Sequence, residues 1–262
     1  MRTIGLTLVL IALVGGIASA AGPSGIGRMV VTPATLIAGS TGNDLTFNFT
    51  ANRSLIGQTI VDVPRGWTAP QKRSASGAGY MELKRGTCGG STRITSIARR
   101  RLTIATACKR GHYQLLFHKV TVPTIAADGY IFLTQTRTLG RKAKFRPLGR
   151  TEQPVVKVKG ATASGLDMTL TSVTTAGTPF SVTVRAVDQW LNNAFPYSGT
   201  VTLTSSDPAA TVPGPYAYQP VDLAQHAFTG VVLRTPGLQT ITATDSNGLT
   251  KTSPPITVNA SS

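Results

Sequence analysis

The chain has 262 residues, with 26 Lys and Arg against 10 Asp and Glu, 27 Gly and 16 Pro. A formal net charge of +16 implies a partner or surface that carries negative charge, and acids this sparse could supply the paired carboxylates of a glycoside hydrolase only from single, scattered residues. The charge is also lopsided: residues 22–159 hold twenty-two bases against five acids (Asp44, Asp62, Glu82, Asp128, Glu152), about +17, whereas 160–262 hold three bases (Arg185, Arg234, Lys251) against five acids, about −2.

In chain order, Arg2 precedes an apolar run over 4–14, then Gly15, Gly16 and the small-residue site Ala18-Ser19-Ala20. These are the n-, h- and c-regions of a secretory signal peptide, so 1–20 is expected to be cleaved. The run is too short for a stable transmembrane anchor, and no Cys near the cleavage site offers a lipid attachment. The C-terminal segment is polar and carries no sorting motif. The expected location is therefore secreted or cell-surface.

After the signal peptide, Thr, Val, Ile, Gly and Pro dominate, alternating segments of five to eight residues recur between turn signals, and no stretch holds a 3.6-residue apolar period. The expected fold is all-β: two tandem Ig-like sandwiches, a basic domain over 22–158 and a neutral domain over 160–262, joined by the small-residue linker 159–165. Each half opens alike. Thr32-Pro33-Ala34-Thr35-Leu36-Ile37-Ala38-Gly39-Ser40 before Leu45-Thr46-Phe47-Asn48-Phe49 echoes Thr175-Ala176-Gly177-Thr178 before Phe180 and Val182.

Cys88 and Cys108 are the only cysteines, and export makes a disulfide the expected state, on the buried face because Cys108 shares strand parity with Leu102 and Ile104. A Cys–His nucleophile is disfavoured, since all three histidines (His112, His118, His226) follow Cys108. His112 and His118 project from one face of a strand-like run but too far apart to share a metal, and Asp62 and Glu82 are the only acids expected to flank a cleft. The segment from Val63 to Pro70, the hairpin between the cysteines and Val120-Thr121-Val122-Pro123-Thr124 resemble a sandwich module of secreted bacterial proteins, which implies a fold and no particular activity. Trp67 and Tyr80 read as packing aromatics.

The bases fall in two groups. Arg99, Arg100 and Arg101 occupy a turn, with Lys109 and Arg110 after Cys108, and closure of the bridge is expected to bring these near one another. Arg137, Arg141, Lys142, Lys144, Arg146 and Arg150 form the second group, with no acid among them. Such a density suits an anionic polymer. With only Phe145 interleaved as a stacking group and no helix to enter a groove, nucleic acid ranks below envelope polyanions: teichoic acid, acidic polysaccharide or anionic headgroups.

In the second half, Phe180, Val182, Val184 and Ala186 share a strand face, as do Val201 with Leu203 and Ile241 with Ala243. Turn clusters lie at 188–193, 205–208, 213–215 and 245–248. The segments 175–188, 197–201, 204–210, 226–228 and 236–245 resemble the bacterial Ig-like repeats of exported surface proteins, similar in turn to invasin-type and filamin-type modules. The resemblance covers roughly 165–258 and implies a spacer or a docking arm for a protein partner, without naming a ligand. Where such modules read Asp-x-x-Gly-Asn, this chain has Asp188-Gln189-Trp190-Leu191-Asn192-Asn193. Those three oxygen-bearing side chains fall short of a Ca²⁺ shell, so a turn is expected.

With no nucleophile elbow, no HExxH and no phosphate-cradling glycine loop, the expected protein is non-enzymatic, without cofactor or metal. It contacts an anionic envelope polymer or surface through its basic half. The competing expectation is a structural subunit of an extracellular assembly, whose bases only keep it soluble.

Overall fold

A computed structural model describes residues 24–52, 54–140 and 142–261. The expected signal peptide, Arg53 and Arg141 lie outside them. The protein is all-β; among the described residues there is no α-helix, and no helix long and apolar enough to cross a membrane.

In the N-terminal half, one sheet has the order β1 (Arg28–Thr32), β3 (Asn43–Thr50), β8 (His112–Val120), β5 (Met81–Lys84). The facing sheet has the order β11 (Arg146–Pro147), β10 (Thr134–Thr138), β4 (Ile56–Asp62), β7 (Arg101–Cys108), β6 (Arg93–Ala98). A third, β2 (Thr35–Ile37), β12 (Val155–Lys159), β9 (Ala127–Ile131), closes one side. Alternation puts Phe47, Phe49, Tyr113, Leu115 and Phe117 from the first sheet against Ile56, Leu102 and Ile104 from the second, all fully buried. Each of the phenylalanine, leucine and isoleucine side chains among them stabilises the fold by roughly 1.5–3 kcal/mol.

The C-terminal half has its own core, from Leu166 to Val258. Its sheets are β13 (Gly165–Thr169), β15 (Pro179–Val187), β18 (Gln225–Val232); β14 (Val173–Thr175), β22 (Ile256–Asn259), β19 (Gly237–Gln239); and β17 (Tyr216–Ala217), β16 (Thr200–Ser205), β20 (Ile241–Asp245), β21 (Thr250–Thr252). Val182, Val184, Ala186, Val201, Leu203, Ile241 and Ala243 are buried, as their alternation requires.

The echo between the halves is structural. In each, the first strand breaks in two, pairing antiparallel before the break (β1 with β3, β13 with β15) and parallel with the closing strand after it (β2 with β12, β14 with β22). In each, the following turn holds a glycine at positive φ, Gly39 at 65° and Gly177 at 84°, where a side chain would strain the backbone. The residue before it donates to the closing strand, Ala38 N–H to Lys159 and Ala176 N–H to Asn259, both at 2.8 Å. Opposed sheets, a first strand shared between them and a parallel closing strand make both halves Ig-like.

Candidate anion-binding surface

The ten described bases among the eleven singled out from the sequence do not converge, and Arg141 lies outside the described residues. Along β7, Arg101 and Cys108 are roughly 23 Å apart at about 3.3 Å per residue. The turn at 99–101 and the turn at 109–110 therefore sit at opposite ends of one strand, and the bridge does not join them: Cys108 reaches instead to Cys88, in a 3-10 turn after β5 (Gly86–Cys88). The disulfide ties the two facing sheets together at one end of the sandwich, with Cα atoms 4.7 Å apart and both cysteines buried.

At the other end, two of the three arginines are engaged. The Arg100 guanidinium donates to the carbonyls of Val63 (3.0 Å), Trp67 (2.6 Å) and Thr68 (3.3 Å), and burial, with Arg65 nearby, lowers its pKa. It clamps the loop that seats Trp67 in the core, edge-on to Tyr130 and Phe132. Arg101 makes a two-pronged pair with Asp62 (2.6 and 2.8 Å). Arg99 stays exposed.

The second cluster gathers at the disulfide end. β10 is followed by the two-residue edge strand β11, a position that tolerates Pro147, whose carbonyl accepts from Gly25 N–H (2.7 Å). Arg137, Lys142, Lys144 and Arg146 line one cleft of about 500 Å³ with Ile56, Thr136, Thr138 and the segment 24–26, and no acid stands among the described residues of its wall. The Arg137 guanidinium lies over the Phe145 ring, 5.0 Å from its centre, a cation–π contact that fixes the base beside the opening. Arg150, exposed, follows Gly149, which approaches Ser24 at the cleft.

Lys109 and Arg110, both exposed, belong to the same end, since Thr138, Ile56 and Cys108 lie in one cross-strand row. Their turn is packed on the bridge: a Cβ at Gly111 would fall 3.0 Å from Cys108 Sγ and 3.3 Å from Cys88 Sγ.

Each of the five acids of the N-terminal half has a partner outside the described lining of the cleft. Asp62 binds Arg101, Asp128 binds Lys157 (2.5 Å), Glu152 meets Arg28 (3.6 Å), and Asp44 and Glu82 flank His118 (3.4 and 3.3 Å). Asp62 and Glu82 lie on the outer faces of opposite sheets, so they flank no common cleft: sequence reading put them together, but strand parity turns both away from the core. His112 and His118 do share a face of β8, with His112 bonded to Thr87.

The 188–193 segment is a hydrogen-bonded turn. Asp188, 1% exposed, accepts at Oδ1 from the N–H groups of Trp190 (2.9 Å) and Asn192 (3.0 Å), and at Oδ2 from Ala161 N–H (2.9 Å) and Asn192 Nδ2 (2.8 Å). Burial pushes this carboxyl up, but those bonds outweigh it and hold it below the ordinary carboxylate range. Both oxygens face donors rather than a cation. The turn also joins the halves: Asn192 donates to Thr124 O (2.8 Å) and accepts from Ala126 N–H (2.8 Å), while the Trp190 ring covers Gly39 so closely that a Cβ there would overlap it. The junction thus lies at the end of the first sandwich opposite the cationic cleft. Asp188→Ala is expected to cost about 2 kcal/mol, by stranding three backbone N–H groups, and to speed proteolysis within 159–165. Unchanged cleavage would show that the turn does not hold the junction.

No family model matches the chain, and no curated protein matches it. Among solved structures it is similar to FdeC, an Escherichia coli adhesin, at 12% identity over 92% of this chain and 65% of that one, with a TM-score of 0.32. It is also similar to an ICAM-5 ectodomain fragment, at 13% identity over 89% of this chain and 51% of that one, with a TM-score of 0.29. The chain therefore spans less than two thirds of either, and at these scores neither likeness bears on function.

Proposed function

We propose that the protein is an exported, non-enzymatic surface-interaction protein of two tandem Ig-like domains, 22–158 and 160–262. The basic domain contacts an anionic envelope polymer or surface, and the neutral domain serves as spacer or docking arm. The observation that carries this reading is the cleft at the far end of the first sandwich, where four bases share a wall with no acid among its described residues while the acids of that half have partners outside that lining. Gathering bases at one end raises the local potential above what the same charge would give if spread out.

The test is titration of the protein without residues 1–20 with a long acidic polysaccharide, in low and in physiological salt. Affinity should fall steeply with salt, and replacing Arg137, Lys142, Lys144 and Arg146 together by Gln should weaken binding about tenfold or more. Replacing four exposed bases outside the cleft, Arg65, Lys72, Arg73 and Arg99, should matter far less. Equal losses from the two sets would mean that net charge alone acts.

A further inference from the structure

Among the described cations at the disulfide end of the first sandwich, two groups lie on either side of β4. On one side are Arg137, Lys142, Lys144 and Arg146 around the cleft; on the other, Lys109 and Arg110 in the turn after β7. The strand positions next to them, Thr138 and Cys108, stand in one cross-strand row with Ile56 between, two strand spacings or about 10 Å apart. The second position is built rather than incidental. Gly111 packs against both sulfurs and accepts at its carbonyl from Ala51 N–H (2.8 Å), so the turn presenting Lys109 and Arg110 is pinned between the bridge and the end of β3.

We infer that these two groups are half-sites for one linear polymer bearing an anion on each repeat, laid across the end of the sheet from the cleft to the turn. The inference rests on the cleft being an anion site, and it adds length selection. A single anion reaches one half-site, whereas a chain long enough to cross about 10 Å engages both, the second contact forming at the effective concentration set by the first. Fixing the turn on a disulfide lowers the ordering cost of that second contact.

The test uses the protein without residues 1–20 and inorganic phosphate, tripolyphosphate and long-chain polyphosphate as probes. Long chains should bind tightest. Replacing Lys109 and Arg110 by Gln should weaken long-chain binding about tenfold or more. It should also flatten the dependence of log affinity on log salt by about two, one for each cation removed. Tripolyphosphate binding should barely change. If K109Q/R110Q weakens both ligands equally or neither, the two half-sites do not exist, whatever the cleft does. If neutralising the cleft leaves all binding intact, the cleft reading itself has failed, which is a different result. Dextran sulfate, run in parallel, separates sulfated from phosphate polymers, and dependence on both half-sites with either supports the inference. Vesicles of phosphatidylglycerol that bind as tightly as the long polymer, and independently of Lys109 and Arg110, would overturn it in favour of a membrane surface.

Discussion

Replacing Cys88 and Cys108 together by Ala should lower the stability of the N-terminal half by about 3 kcal/mol, the chain-entropy value for a loop closed across a separation of 20 residues. The bridge is the covalent tie between the turn after β5 and the end of β7, which belong to facing sheets, so its loss frees the disulfide end of the sandwich first. Urea unfolding followed through Trp67, buried in that core, should show the shift, while the C-terminal half keeps its transition. Thiol titration of the unfolded, unreduced wild type should find no free cysteine. A loss of stability below about 1 kcal/mol, or two titratable thiols, would remove the bridge from this account.

Asp207→Ala should destabilise the C-terminal half by about 3 kcal/mol. The carboxylate is 3% exposed and accepts from Thr235 Oγ1 (2.6 Å) and from the N–H groups of Arg234 (2.6 Å), Thr235 (3.0 Å) and Ala209 (2.9 Å), fastening the turn after β16 to the one after β18. Burial pushes its pKa up, but those bonds more than reverse this and leave it well below the ordinary range. The unfolded carboxyl, near the usual value of about 3.9, therefore takes up its proton at higher pH than the folded one does. Its stabilisation is complete above about pH 4 and declines as the pH falls toward the folded value. Asp207→Asn should flatten that acid limb of the stability curve; an unchanged limb would mean that other carboxylates carry the acid response.

Much of the fold was legible because alternation reports burial directly. Val182, Val184 and Ala186, or Leu102, Ile104 and Cys108, can face the core only in the strand parity they show. The repeat at the two opening turns was legible too, because a glycine at positive φ is a local requirement. The site was less legible. The cluster at 137–146 reads as one group because its residues are neighbours in the chain, and four of them share a cleft. Proximity in sequence failed for 99–101, where a strand of eight residues carries the arginines away from Lys109. It could not reveal that Arg100 satisfies three loop carbonyls, since those acceptors come from a segment more than thirty residues earlier. The role of Trp190 and Asn192 at the junction was equally hidden: both meet partners in the other half, and nothing local in 188–193 marks that docking.

With about +17 on residues 22–159 and about −2 on 160–262, the positive charge of the molecule lies toward the first sandwich, and the cationic cleft stands at that sandwich's far end from the junction. Near a negatively charged wall such a body feels a torque as well as an attraction, and the torque turns the disulfide end forward before contact. At an ionic strength of 0.1 M the wall's field is screened within about 10 Å, so this alignment takes place in the last stretch of the approach. Moving the same bases to the outer faces of the sandwich would keep the net charge and weaken the alignment, so that encounters would begin with any end.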